Sequence, residues 1–136
     1  NTKLYMNSGA TAPEWAKGIK VISTSFRMDD SAGDIAVTGV GFKPSAVLTI
    51  TCGSYMIELM SISFTDFTTT GGLSDYRNVA SGVLNPSGSL YEIYESGTNY
   101  RTSVMKSADA DGFTRTDSKT GTPTHNLVYL YHFCLR

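Results

Sequence analysis

Leu127-Val128-Tyr129-Leu130-Tyr131-His132-Phe133-Cys134-Leu135 carries no formal charge apart from what His132 can acquire, and is apolar at nearly every position. Successive residues of a strand point to opposite faces, so Val128, Leu130, His132 and Cys134 share one side. Leu127, Tyr129, Tyr131, Phe133 and Leu135 share the other. A strand in a two-layer sandwich needs only one face in the core, so the second apolar face must be covered by something else. Two covers offer themselves: another copy of the chain, or an intramolecular arm or loop such as the one carrying Trp15. Tyr and Phe are enriched in interface cores. The expectation is that Val128, Leu130 and Cys134 enter the core, while Tyr129, Tyr131, Phe133 and Leu135 face a neighbouring subunit. The exchanged assignment satisfies the same alternation, and His132 is left between core and interface.

Outward from this segment the chain repeats one theme. Runs with apolar residues at every second position, separated by Gly, Asp, Asn and Pro, span 19–28, 34–40, 46–53, 56–66, 75–80, 90–95, 100–108, 112–119 and 126–135. Nine short strands predict an all-β fold, a two-sheet antiparallel β-sandwich. Asp30 to Gly33 reads as a turn, Pro44 cannot continue a central strand, and Asp111-Gly112 is a hairpin signal. Residues 1–18 lack periodicity and read as an extended arm or linker, leaving 19–136 as the sandwich domain. Two polar stretches, 67–74 and 81–89, read as long loops, and loops on a rigid scaffold are where recognition concentrates. Thr68, Thr69, Thr70 and Asn85 there, with Tyr55, Tyr76, Tyr91, Tyr94 and Tyr100 read as exposed aromatics, are the candidate receptor-binding residues.

Eleven Lys and Arg against twelve Asp and Glu give a net charge of -1 with no basic patch, which argues against nucleic acid or anionic lipid as partner. No window approaches the roughly 18 apolar residues of a membrane-spanning helix. Cys52 and Cys134 each sit inside an apolar run and read as buried thiols, a disulfide between neighbouring strands being the alternative.

No chemical motif survives inspection. Asp109-Ala110-Asp111-Gly112 resembles the start of a calcium loop, but the twelfth position is Thr120 rather than Glu, so a hairpin turn explains it. Asp29, Asp30 and Asp34 read as turn carboxylates around Gly33. His132 could line an oligomer axis as a metal-binding ring, though a hydrogen-bonded histidine is the commoner role. No nucleophile elbow or phosphate cradle is present. Glu58, Asp66, Glu92 and Glu95 are the carboxylates that a glycan hydrolase would have to pair from different strands. The expectation is a non-enzymatic domain without cofactor or metal.

Thr38-Gly39-Val40-Gly41-Phe42-Lys43-Pro44-Ser45-Ala46-Val47 resembles a "GVGFKPKAV" stretch of a module recurrent in bacteriophage virion proteins, often at the C-terminal end of tail-fibre and head-fibre chains. Ser61 to Asp66 is similar to that module's "SIGFAD" strand, and Ala110-Asp111-Gly112-Phe113-Thr114 to its "DGFT" turn. Thr120 to Thr124 and the segment Ser8 to Trp15 continue the likeness, so the blocks run in order from about residue 8 to 135. The resemblance implies a jelly-roll or tumour-necrosis-factor-like sandwich on the virion surface, as a fibre tip, fibre head or capsid decoration. It implies a homotrimer in contact with other virion proteins and with a bacterial surface glycan or protein. A glycan-binding domain or glycan hydrolase is the alternative function.

Overall fold

A computed structural model describes residues 18–53, 59–76, 88–124 and 126–136, with backbone alone at 59 and 72–76. The described residues form nine strands: β1 (Ile19–Arg27), β2 (Gly33–Val37), β3 (Ala46–Gly53), β4 (Leu59–Thr65), β5 (Thr70–Tyr76), β6 (Tyr91–Tyr94), β7 (Tyr100–Asp109), β8 (Gly112–Thr120) and β9 (Leu127–Leu135). Among the described residues there is no helix. The strands form a five-stranded sheet, β1-β9-β3-β4-β5, and a four-stranded sheet, β2-β8-β7-β6, with antiparallel pairing throughout. The chain is therefore the predicted all-β, two-sheet antiparallel sandwich.

The two ends of the chain wrap around each other as in a jelly roll. β1 lies beside β9, β2 beside β8, and β3 on the far side of β9. The middle of the chain closes as two meanders, β3-β4-β5 and β6-β7-β8. The expected arm, residues 1–18, lies outside the described residues except for Gly18, and β1 begins at Ile19.

One expected loop is instead a strand. The 67–74 stretch contributes β5 from Thr70, and only a tight turn, 66–69, joins it to β4. The Asp66 carboxylate accepts the N–H of Thr68 at 2.9 Å and of Thr69 at 2.6 Å, and the Thr68 hydroxyl at 2.7 Å. This side chain replaces the backbone partners a longer loop would need, and Phe67 takes a positive φ of 66° at the corner. The run predicted at 75–80 thus starts five residues earlier.

Two apolar clusters lie between the sheets. Phe26, Met28, Tyr91, Ile93, Val128 and Leu130 form one buried cluster; Val37, Val40, Val47, Leu90, Phe113 and Cys134 form a second, flanked by Ile22, Phe42, Phe67 and Met105. Each such side chain removed from water contributes about 1.5–3 kcal/mol. Val128, Leu130 and Cys134 lie inward, as expected, and His132 joins them in the core.

His132 is held by hydroxyls. Its Nε2 lies 3.2 Å from Thr24 Oγ1 and its Nδ1 3.0 Å from Thr49 Oγ1, while Phe113 meets the ring edge-on at 5.1 Å. A neutral imidazole offers one donor and one acceptor, which two hydroxyls satisfy. Burial and, secondarily, the nearby Arg115 charge drive its pKa down to about 3. A metal-holding ring of His132 side chains on the outer face is therefore overturned: the imidazole points the other way and both nitrogens are engaged.

Two arginines share the same interior. Arg101 Nη2 reaches Asp117 at 3.4 Å and Arg115 Nη1 reaches the same carboxylate at 2.8 Å, all three side chains being buried. Arg101 also donates to the carbonyls of Arg27, Met28, Asp30 and Ser31 at 2.7–3.4 Å, clamping the β1–β2 turn. Both guanidinium groups lie over the Phe26 ring. Arg115 also donates to the Tyr91 hydroxyl at 2.9 Å.

Candidate assembly surface

β9 turns Tyr129 and Tyr131 outward, 41% and 42% exposed, with Leu127, Phe133 and Leu135 half-buried on the same face. These residues do not stand alone. The pairing registers align them with outward side chains of β1, β3 and β4 in successive rows. Val21, Phe133, Leu48 and Phe64 form one row. The next is Ser23, Tyr131, Ile50 and Ile62, followed by Ser25, Tyr129, Cys52 and Met60, while Ile19, Leu135 and Ala46 close the near end.

β3 and β4 are the less obvious contributors. Their alternation places Thr49, Thr51, Ser61, Ser63 and Thr65 in the interior, at most 3% exposed, and sends the larger apolar partners out. Met60 is 52% exposed, Ile62 36% and Phe64 50%; Leu48, Ile50 and Cys52 are half-buried between their neighbours. Phe64 is uncovered partly because its β5 partner is Gly71, which has no side chain to lay against the ring. No charged side chain stands on the outward face of β9, β3 or of β4 at Met60, Ile62 and Phe64; the surface turns polar along β1 at Ser23, Ser25 and Arg27. Monomeric soluble proteins seldom expose a contiguous apolar patch beyond about 300–600 Å².

Sequence inspection found the β9 half of this surface and missed the β3–β4 half. The signal was there: Met60, Ile62 and Phe64 alternate with Ser61, Ser63 and Thr65 as sharply as any pattern in the chain. Period two separates the faces without saying which is inward.

The other expected recognition residues scatter. Thr68 and Thr69 are exposed in the β4–β5 turn, and Thr70 opens β5, its hydroxyl donating to Thr65. Tyr76 ends β5, its side chain outside the described residues, as are Tyr55, Asn85 and the 81–87 part of the second loop. Tyr91 is not exposed. It is fully buried, stacked on Phe26 at 5.3 Å, and burial pushes its hydroxyl pKa up. The reason is phase: with Ile93, it occupies the inward side of β6. Tyr94 and Tyr100 form a tilted, half-buried pair at 4.8 Å on the opposite side of that strand pair. Tyr94 donates to Glu92, and burial with that bond raises its pKa to about 12.

The carboxylates considered for sugar hydrolysis are each engaged locally. Asp66 holds its turn, and the N–H and hydroxyl donors there lower its pKa to about 2. Glu92 accepts from Tyr94, and Glu95 accepts the Thr124 N–H at 2.8 Å and the Asn126 amide. Glu58 lies outside the described residues. Among the described residues no group of three or more His, Cys, Asp or Glu could hold a metal ion. Cys52 and Cys134 are free thiols on opposite faces of the five-stranded sheet, so the alternative of a disulfide between them is excluded by geometry.

Comparison with protein-family models, curated proteins and solved structures found no match. The functional reading of the chain therefore rests on its own residues.

Proposed function

We propose that this domain is a non-enzymatic structural protein of a bacteriophage virion, a fibre tip or head or a capsid-surface element, which assembles as a homotrimer through the outer face of its five-stranded sheet. The observation that carries the assembly is that face: three adjacent strands, β9, β3 and β4, all direct their larger apolar side chains away from the sandwich core. Placement on a virion is supported by the sequence blocks around Gly39 to Pro44 and Asp111 to Thr114 and their resemblance to phage modules. A trimer accords with that resemblance and with the preference of homo-oligomers for closed cyclic symmetry. The turn at 66–69 and the Tyr94–Tyr100 side of the four-stranded sheet are left to contact a host-surface receptor.

Sedimentation velocity with multi-angle light scattering tests the assembly. Three times the chain mass, stable to dilution, is the expected result; a folded, monodisperse monomer at every concentration would sink the reading. Attachment of the labelled protein to intact bacterial cells tests the receptor half. Substitution of Thr68 and Thr69 by Lys is expected to reduce attachment while leaving the mass unchanged.

A further inference from the structure

Beneath the apolar outer face, the side of the sandwich interior lined by β3 and β4 is polar. Among the described side chains of β3 and β4, Val47 is the one buried apolar residue, beside Thr49, Thr51, Ser61, Ser63 and Thr65. The four-stranded sheet adds Arg101, Ser103, Arg115 and Asp117 to the same interior. Thr51 Oγ1, Ser103 Oγ and the Nε atoms of both arginines are buried without a hydrogen-bond partner. Hydroxyls in place of aliphatic groups, and donors without acceptors, weaken a core.

The apolar groups that would ordinarily fill such an interior point outward from the same two strands, as Leu48, Ile50, Met60, Ile62 and Phe64. We infer that part of this domain's hydrophobic core is formed between copies of the chain rather than between its two sheets, so that folding of each subunit is coupled to assembly. The inference rests on the self-association proposed above and adds that the separated subunit is not a stable species.

A second copy is the occupant that the surface fits. Four strands, β1, β9, β3 and β4, about 4.8 Å apart and each about seven residues long at about 3.3 Å per residue, present roughly 440 Å² of flat sheet. Side-chain relief brings this towards the roughly 800 Å² per partner of a stable protein interface. The face carries no charge on β9, on β3 or at Met60, Ile62 and Phe64 of β4, so the centres of identical faces meet without like-charge repulsion, with Arg27 at the β1 margin, and can be self-complementary about a symmetry axis.

Urea unfolding followed by circular dichroism, over about a hundredfold range of protein concentration, tests the coupling. The midpoint is expected to rise with concentration, because unfolding and dissociation are then one transition. Ile62→Lys, at the middle of the face, is expected to abolish both the oligomer and the folded spectrum. Ala36→Lys, exposed on the outer side of the four-stranded sheet, is expected to leave both intact. An oligomeric wild type whose midpoint ignores concentration, or an Ile62→Lys protein that is a folded monomer, would overturn the coupling while leaving self-association standing. A wild type that is itself a folded monomer overturns both.

Discussion

The Asp111 carboxylate accepts the backbone N–H of Gly41 at 2.6 Å and, through its other oxygen, that of Gly39 at 3.0 Å. Gly39 and Gly41 hold φ near +82° and +84°, where a side chain is strained, and so turn two N–H groups towards one anion. The stretches around Gly39 to Gly41 and Asp111 to Gly112, far apart in the chain, are thus one physical unit joining the β2–β3 loop to the β7–β8 hairpin. These donors hold the Asp111 pKa below its ordinary value. Its stabilisation is present above the unfolded value and is lost as pH falls through the lower folded one. Asp111→Ala is expected to lower the melting temperature at neutral pH and to narrow its difference from the parent in strong acid; scanning calorimetry at the two pH values checks this.

Gly112 is needed for a different reason. A Cβ placed on it would lie 1.9 Å from the Val37 carbonyl oxygen, at a φ of +145° that L-residues rarely adopt. Backbone oxygen cannot swing aside as a side chain can. Gly112→Ala is expected to cost more than about 2 kcal/mol by chemical denaturation, or to abolish folded protein on expression.

His132 makes stability depend on mild acid. Its folded-state pKa, near 3, lies below its ordinary 6.5, so the unfolded chain binds the extra proton between those values. The stabilisation from the neutral, hydrogen-bonded ring is present above about 6.5 and declines as pH falls, the slope approaching about 1.4 kcal/mol per pH unit towards the middle of that window. Urea midpoints compared at pH 7.5 and 5.5 are expected to fall accordingly in the parent. His132→Asn, whose amide keeps a donor and an acceptor, is expected to be less stable at pH 7.5 and to lose most of that slope; an unchanged slope would count against the assignment.

Asp117 bridges two buried guanidinium groups, those of Arg101 and Arg115. Asp117→Asn keeps the shape and removes the charge that the two buried arginines share. A loss of about 3–5 kcal/mol is expected from denaturant titration. Arg115→Met is expected to cost less, since Arg101 still pairs with Asp117 and a methionine fills apolar space beside Phe26 and Tyr91.

Eight of the nine strands lie close to where alternation and turn residues predict them, β3 to the residue, because a strand's side-chain period and its Gly, Pro and Asp boundaries are local properties. β5 was displaced because Thr68-Thr69-Thr70-Gly71-Gly72 has the composition of a loop, and its pairing with β4 depends on the Asp66 turn. The buried charges were also partly visible. Phe113 points inward on β8, so period two carries Arg115 and Asp117 inward with it, and hydrophilicity alone misleads there. Tyr91 erred in the same way: an aromatic suited to a surface was committed to the core by the phase of β6.

By itself the sequence determined that this chain is a β-sandwich and that Leu127 to Leu135 has two apolar faces, since both follow from the order of residues along one strand. Tertiary structure alone decided that β3 and β4 turn their hydroxyls inward and join β9 in one outward apolar surface. Alternation divides a strand into two faces, but which face looks inward depends on the register and twist of its neighbours and on what the opposite sheet brings to meet it.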